Sequence, residues 1–210
     1  MMPATLDSQA GVFGWSLDGK TLYMTEAKGT VTALYLMNVA NGTITEPHPA
    51  TAVFSGVSMN KDGVIAGVAQ MANMAPELYV GKLTDAAPIK VSNANADRAA
   101  LPMGKTDVIK WKSKDGREIE GLLTYPVGYT AGTKVPLILN VHGGPAGVFQ
   151  QSYIGGRGSY PIASFAAKGY AVLRPNPRGS SGYGAEFRRA NIKDWGGMDY
   201  EDLMTGVDHV

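Results

Sequence analysis

Apolar and polar positions in roughly the first hundred residues follow the pattern of short strands joined by turns. Thr21–Thr25 and Val31–Val39 are rich in β-branched and aromatic residues, and Asn41-Gly42 is a typical hairpin turn before Thr43–Thr45. A second set of strands with the same spacing is predicted at Val64–Ala69, Glu77–Lys82 and Ile89–Val91. The pattern therefore predicts two successive groups of antiparallel strands.

These two groups form an internal repeat. Asp18-Gly19 recurs 44 residues later as Asp62-Gly63, and Leu34-Tyr35 recurs with the same offset as Leu78-Tyr79. Ile44 corresponds to Ile89, with an offset that is one residue longer. A period in the range of about 40–50 residues is typical of a β-propeller blade, and repeat folds need roughly three or more units to bury their faces. We therefore expect further blades upstream in a longer protein. The alternative is a pair of unrelated hairpins with a chance offset.

The pattern changes after the polar, repeat-free segment at residues 93–106. We place a domain boundary there, with residues 1–102 in the first domain and residues 103–210 in the second. Beyond the boundary, Lys110–Lys112 and Ile119–Thr124 flank the turn Lys114-Asp115-Gly116 and predict an antiparallel pair.

The remainder of the second domain alternates strands with helices. Val135–Val141 is an almost continuous apolar run, as expected of a strand buried on both faces. Pro161–Lys168 predicts a helix that ends before Gly169, and the strand Tyr170–Arg174 follows at once. Strand, helix and strand in this order predict a parallel sheet covered by helices.

The last predicted helix spans Asp199–Val210. One helical stripe of this segment is apolar (Leu203, Met204, Val207 and Val210), whereas its acidic residues are Asp199, Glu201 and Asp202. Acidic side chains at this end suit the positive end of the helix dipole, so a helix start is a better interpretation than a metal site.

Composition excludes several classes of function. The chain has 19 basic and 18 acidic residues and a net charge of +1, so it lacks the field that attracts nucleic acid or an anionic membrane. It has no cysteine, which excludes disulfides and thiolate metal sites. No segment has the features of a signal peptide or a membrane span, and any signal peptide is expected upstream of Met1. We expect no cofactor or metal, and the compartment and oligomeric state stay open.

Val141-His142-Gly143-Gly144-Pro145 carries the most chemical information. It directly follows the predicted strand Val135–Val141, where an α/β-hydrolase places the loop that donates one backbone N–H to the oxyanion hole. Fixed amide donors lower the barrier of acyl transfer by stabilising the oxyanion that develops. An ordinary glycine turn after a strand is the alternative.

Two further motifs follow in a fixed order. Asn176-Pro177-Arg178-Gly179-Ser180-Ser181-Gly182-Tyr183-Gly184 comes after the next strand, and Asp194-Trp195-Gly196-Gly197-Met198-Asp199-Tyr200-Glu201-Asp202 opens the last helix. Together with His-Gly-Gly-Pro, they resemble peptidases of the prolyl oligopeptidase family, especially its acylaminoacyl peptidase and dipeptidyl aminopeptidase branches. The resemblance is close over residues 108–210 and only architectural in the repeats. It implies a mixed fold: a partial all-β propeller of about two blades, followed by the N-terminal half of an α/β-hydrolase domain.

The resemblance also implies roles for individual residues. Gly144 would supply the oxyanion N–H, with Gly143 and Pro145 supporting its loop. His142 would be a loop residue and not the catalytic base. Arg178 would anchor the loops behind the site through buried hydrogen bonds and would not contact substrate.

The Ser, Asp and His triad of that family is not found in this chain. A nucleophile elbow requires Gly-x-Ser-x-Gly between a strand and a helix. Gly14-Trp15-Ser16 begins this pattern, but Asp18 stands where the last glycine is needed. The same segment spells a phosphate loop, but the predicted strand after it excludes that function because a phosphate loop opens a helix. The other serines considered fail the pattern, and no histidine matches the family's catalytic one: Ser159, Ser180, Ser181, His48, His142 and His209.

We therefore expect a piece of a serine peptidase that hydrolyses short peptides through an acyl-enzyme, and we expect this piece to be inactive alone. One alternative is an esterase of the same fold, since lipases also carry glycine-rich loops after this strand. The other is a non-catalytic propeller that binds a partner and carries a degenerate hydrolase domain.

Overall fold

A computed structural model describes residues 4–84, 87–156 and 158–210. Within these ranges the chain forms two sheets in its first half, each of four antiparallel strands in sequence order. The strands of the first sheet are β1 (Gly11–Trp15), β2 (Thr21–Lys28), β3 (Val31–Asn38) and β4 (Ile44–Thr45). Those of the second are β5 (Val53–Met59), β6 (Ile65–Met71), β7 (Met74–Gly81) and β8 (Ile89–Lys90).

The sequence repeat falls at equivalent places in these two sheets. Asp18-Gly19 turns the chain from β1 into β2, and Asp62-Gly63 turns it from β5 into β6. Both glycines adopt positive φ, +69° and +76°, a conformation that favours glycine. The two Leu-Tyr pairs lie in the third strand of their sheets, β3 and β7. Strands β1 and β5 escaped prediction because an irregularity in register interrupts the alternation of each.

The first sheet carries apolar residues on both faces. Tyr23 and Leu34 pack on one face against Ile65 and Leu83 of the second repeat. The opposite face buries a second cluster, formed by Leu22, Met24, Ala33, Tyr35 and Met37. A sheet that is apolar on both faces is suited to lie between two other layers.

The second half builds one mixed sheet in the order β11-β12-β10-β9. Its strands are β9 (Thr106–Lys112), β10 (Glu118–Thr124), β11 (Leu137–Leu139) and β12 (Ala171–Asn176). The expected antiparallel hairpin (β9 and β10) and the expected parallel pair (β11 and β12) are both present, joined by antiparallel pairing of β10 with β12. Both expected pairings are therefore confirmed, whereas the antiparallel pairing of β10 with β12, which makes the sheet mixed, was not predicted.

Strand β11 also differs from its prediction. Only Leu137–Leu139 pairs, instead of Val135–Val141, and its side chains are half-buried, not buried. The physical reason is its place at the edge of the sheet, where β12 is its one partner in the described part of the chain.

Three α-helices accompany this sheet in the described ranges: α1 (Ile162–Ala167), α2 (Ala185–Arg189) and α3 (Met198–His209). Helix α1 follows Pro161 and ends before Gly169 as expected. Helix α2 was not predicted, because a helix this short shows no periodicity. The apolar stripe of α3 was partly wrong, since its buried positions are Asp202 and Gly206 while Val210 is exposed.

The close contact of α3 with Trp111 explains part of this difference. A Cβ at Gly206 would lie only 2.7 Å from the Trp111 ring, and the Trp111 Nε1–H donates to the backbone oxygen of Asp202 at 2.9 Å. The indole therefore occupies the space that an apolar side chain at residue 206 would need.

The segment expected as a boundary contains a 3₁₀ helix at Ala96–Ala100. The Glu77 carboxylate holds the chain before it, accepting hydrogen bonds from the Ser92 hydroxyl and from the N–H groups of Ala94 and Asn95. Loops of the second half also bond to the first two sheets: Gln151 N–H donates to Thr30 O at 2.8 Å, and Ile154 N–H to Ala72 O at 3.0 Å.

Candidate functional site

The loop that leaves β11 is fixed by a side chain at the end of β12. Asn176 is fully buried; its Oδ1 accepts from Phe149 N–H at 2.7 Å, and its Nδ2 donates to Phe149 O at 3.0 Å. A single amide thereby replaces the strand pairing that the backbone of residue 149 lacks. The residues of the candidate oxyanion loop, 142–147, lie between β11 and this clamp.

Gly144 occupies a position in this loop that suits glycine alone. Its φ is +130°, and a Cβ there would lie 2.7 Å from the nitrogen of Gly147. Gly144 is exposed, and its N–H finds no acceptor in the described part of the chain. The flanking Gly143 and Pro145 are also exposed. The loop thus presents an N–H that is free to donate to a ligand.

His142 faces a serine, but in an arrangement that does not suit catalysis. Its Nε2 lies 3.1 Å from Ser180 Oγ, and that hydroxyl lies 2.6 Å from the carbonyl oxygen of Pro177. Because a carbonyl can only accept, the Ser180 hydroxyl donates to Pro177, and His142 Nε2–H donates to Ser180. A general base must instead accept the proton of its nucleophile. Ser180 is also fully buried, so this pair supports the loop.

Arg178 is buried among carboxylates. Its backbone N–H and its Nε donate to Asp202 Oδ2 at 2.8 and 2.9 Å, and its Nη2 donates to Asp202 Oδ1 at 2.8 Å. Asp115 accepts from Nη1 and Nη2 at 2.9 and 3.0 Å. These hydrogen bonds, those of Asp202 above all, raise the pKa of Arg178. The guanidinium ties the loop after β12 to α3 and to the β9–β10 turn, and its role as a positioning residue stays a prediction.

Asp115 gives this cluster a measurable pH dependence. The hydrogen bond from Arg178 lowers the pKa of the Asp115 carboxyl from 3.8 to about 2. A depressed carboxyl pKa stabilises the folded state above the usual pKa, and this contribution is lost as the pH falls through the folded value. We expect the gap in free energy of unfolding between the parent chain and Asp115→Asn to shrink from pH 4 to pH 2, as followed by urea titration. A gap that is constant over this range would contradict the assignment.

Tyr183 is a further hydrogen-bond partner of the Asn176 clamp. Its hydroxyl accepts from Asn176 Nδ2 at 2.8 Å and donates to Glu120 Oε1 at 2.9 Å. Burial, with a smaller contribution from Glu120, raises the pKa of this phenol. Its single proton is already engaged, so Tyr183 is not available as an oxyanion donor.

Sequence reasoning missed one anchor entirely. The Asp7 carboxylate, almost fully buried, accepts hydrogen bonds from the N–H groups of Gly182 and Gly184. Arg188 Nη2 donates to the backbone oxygen of the same aspartate at 3.1 Å. No local signal marks Asp7, because it lies 175 residues before Gly182. The clamp Asn176 lay inside a noted motif without an assigned role, and the ion-pair partner Asp202 was assigned only to the helix start.

Other kinds of site are not found in the residues that the structure covers. These ranges contain no group of three His, Asp or Glu side chains placed to hold a metal ion. They also contain no helix with the length and hydropathy needed to cross a membrane.

Comparison with known proteins connects this geometry to a family. Residues 158–210 match the sequence profile of the prolyl oligopeptidase family. Over 100 residues the chain is 44% identical to the uncharacterized peptidase YuxL of Bacillus subtilis (strain 168), covering 48% of this chain and 14% of that protein. It is 28% identical over 206 residues to dipeptidyl-peptidase 5 of Arthroderma otae, covering 93% of this chain and 27% of that protein.

Among solved structures, the chain is similar to acylaminoacyl peptidase of Pyrococcus horikoshii. The TM-score is 0.75 at 25% identity, over 90% of this chain and 29% of that one. The chain spans between 14% and 28% of the length of the curated relatives it matches.

Proposed function

We propose that the chain is part of a serine peptidase of the prolyl oligopeptidase family, one that hydrolyses short peptides through an acyl-enzyme. The observation that carries the proposal is the unpaired N–H of Gly144 in the loop after β11. General experience with open α/β sheets supports this location, since ligands bind outside the carboxyl ends of the parallel strands. The longer protein that we propose contains this chain is called the longer peptidase below.

The proposed organisation has two parts. Residues 1–102 would be two C-terminal blades of a propeller, because each repeat forms one four-stranded antiparallel sheet and the first sheet is apolar on both faces. Residues 103–210 would be the N-terminal part of an α/β-hydrolase domain. The half-buried, three-residue strand β11 offers its free edge to a further strand of that domain.

In this proposal the chain supplies one oxyanion donor of the catalytic machinery. The peptide carbonyl would be held beside the loop 142–147, and Gly144 N–H would donate to its oxygen as negative charge develops there. Two sets of hydrogen bonds would hold that donor in place before substrate arrives. One links His142 through Ser180 to Pro177, and the other is the Asn176 clamp. Serine, acid and base would come from outside residues 1–210, so this chain alone would be inactive.

Turnover of matched substrates by the longer peptidase tests this function. Peptides of two to six residues, with free or acetylated amino termini, should be cleaved and release dipeptides or acylated residues, detected by mass spectrometry. The corresponding ethyl esters serve as the comparison. Turnover of esters without any cleavage of peptides would identify an esterase. Failure to cleave either, combined with tight binding of a protein partner, would favour a non-catalytic binding module.

A further inference from the structure

Arg174 is a buried cation with no counter-ion among the residues that the structure describes. It lies on β12, is 6% exposed, and its Nε and Nη2 are buried atoms with no hydrogen-bond acceptor in the described part of the chain. Burial lowers the pKa of its guanidinium to about 10, so the group remains charged at neutral pH. The guanidinium lies over the Phe149 ring, whose centroid is 5.8 Å from Cζ. A cation in this position contrasts with Arg178, which two carboxylates neutralise.

The positions of the two unpartnered nitrogens determine which shape of acceptor they can bind. Nε and Nη2 lie on one edge of the guanidinium, and their N–H bonds point in parallel. Such an edge matches the two oxygens of a carboxylate, which Arg binds with two parallel hydrogen bonds. An unpaired buried cation is costly, so an acceptor of this shape gains from both charge and geometry.

Arg174 lines an open cavity of about 360 Å³. Asn140, Phe149 and Tyr153 also line it, and the buried Tyr153 hydroxyl likewise has no hydrogen-bond partner within the described ranges. No Asp or Glu is among the described residues of its lining. Arg174 is therefore the one charged side chain among the described lining residues, and none of these residues neutralises it.

The cavity lies next to the candidate oxyanion loop. Asn140 precedes His142 by two residues, Phe149 follows Gly147 by two, and both line the cavity. We therefore expect that, in a peptide whose carbonyl oxygen binds the Gly144 N–H, a neighbouring side chain or the terminal carboxylate can reach this cavity.

We propose that this cavity is a carboxylate-binding subsite, in which the Nε and Nη2 edge of Arg174 binds an acidic side chain or the terminal carboxylate of the peptide substrate. This inference rests on the proposed peptidase function. It assigns Arg174 a part in substrate selection that no other residue described above provides.

The test compares peptides that differ by one charge. Pairs with Glu or Gln at one position at a time, from two residues before the scissile bond to two after it, are offered to the longer peptidase and to Arg174→Met. A further series compares free with amidated carboxyl termini. At one of these positions the parent is expected to prefer the carboxylate, and Arg174→Met should lower that preference in kcat/KM by about 10- to 100-fold. Cleavage of the neutral peptides should change little.

Two further variants distinguish the effect of the positive charge from that of the two parallel N–H bonds, and both from a general effect of removing an arginine. Arg174→Lys keeps the charge without the two parallel N–H bonds, and should restore only part of the preference. Arg189→Met removes an exposed arginine of α2 and should leave the preference unchanged. The same peptide pairs are measured by calorimetric binding, which reports on the subsite even without turnover.

Three results would overturn the subsite. One is an unchanged preference in Arg174→Met with normal cleavage of neutral peptides, which leaves the peptidase function intact. The second is a lower melting temperature of Arg174→Met with an unchanged preference, which would mean that a carboxylate of the longer peptidase itself occupies the edge. The third is equal calorimetric affinity of the parent for both members of every pair. Absence of any peptide cleavage, with the binding preference present, would instead refute the proposed function and keep the subsite.

Discussion

Replacing the amide of Gly144 by an ester in the longer peptidase is expected to lower kcat by about 10²–10³-fold, equivalent to about 2.7–4 kcal/mol of transition-state stabilisation. Glycolic acid introduced at this position removes the N–H donor and adds no side chain. It keeps the freedom to adopt the φ of +130° that the loop requires. The loss should appear in kcat, because the oxyanion exists only during the reaction.

The geometry of the loop decides which controls are informative. Gly144→Ala places a Cβ 2.7 Å from the Gly147 nitrogen, and Gly144→Pro cannot reach a positive φ, so both would distort the loop. Gly147→Pro is equally unsuitable, because a Cβ there meets the backbone oxygen of Gly143 at 2.5 Å. An ester at Gly143, whose N–H donates to no backbone acceptor in the described part of the chain, is the matched control and should leave kcat nearly unchanged.

Equal losses in kcat for the esters at Gly143 and Gly144 would show that loop stability matters and that the Gly144 donor does not. A Gly144 ester that turns over at the parent rate would place the oxyanion donor elsewhere.

Asp202→Asn is expected to destabilise the chain by about 3–5 kcal/mol, the typical cost of removing one partner of a buried ion pair. Asp202 is fully buried and accepts three hydrogen bonds from Arg178. The variant leaves the guanidinium with Asp115, which is 40% exposed, as its only carboxylate partner in the described part of the chain. The free energy of unfolding from urea titration measures the effect.

One control changes another aspartate of α3, and the other removes both members of the Arg178–Asp202 ion pair. Asp208→Asn changes an exposed aspartate of α3 and should alter stability by less than about 0.5 kcal/mol. The double variant Arg178→Met with Asp202→Leu removes both charges and should be more stable than Asp202→Asn alone. A loss below about 1 kcal/mol for Asp202→Asn would mean that water replaces the carboxylate, and that the pair does not hold the loop after β12 to α3.

Local patterns predicted those parts of the fold that local interactions determine. The Asp18-Gly19 and Asp62-Gly63 turns revealed the repeat because a positive φ favours glycine at each. Pro161 and Gly169 delimited α1, because the fixed φ of proline suits the start of a helix and Gly169 adopts a positive φ of +88° just past its end. Strands β1 and β5 were missed because their irregular register breaks the alternation on which such a prediction depends.

The candidate site was predictable only in part. The motifs located Gly144 and Arg178, because the chain places both directly after strands. Interactions that fix them are distant in sequence: Asp202 lies 24 residues from Arg178, and Asp7 lies 175 residues from Gly182. Asp202 was assigned to the helix start because charge at that end is favourable in itself. Only packing shows that its side chain points inward.

The position of the reactive serine tests the central claim most directly. The longer peptidase and the 210-residue chain are each treated with a fluorophosphonate, and the labelled peptide is identified by mass spectrometry. The account predicts stoichiometric labelling of one serine outside residues 1–210 in the longer peptidase, and none in the chain alone. Ser180, the serine that contacts His142, is buried and donates its proton to Pro177, so it is not activated. Stoichiometric labelling of any serine within residues 1–210 would contradict it.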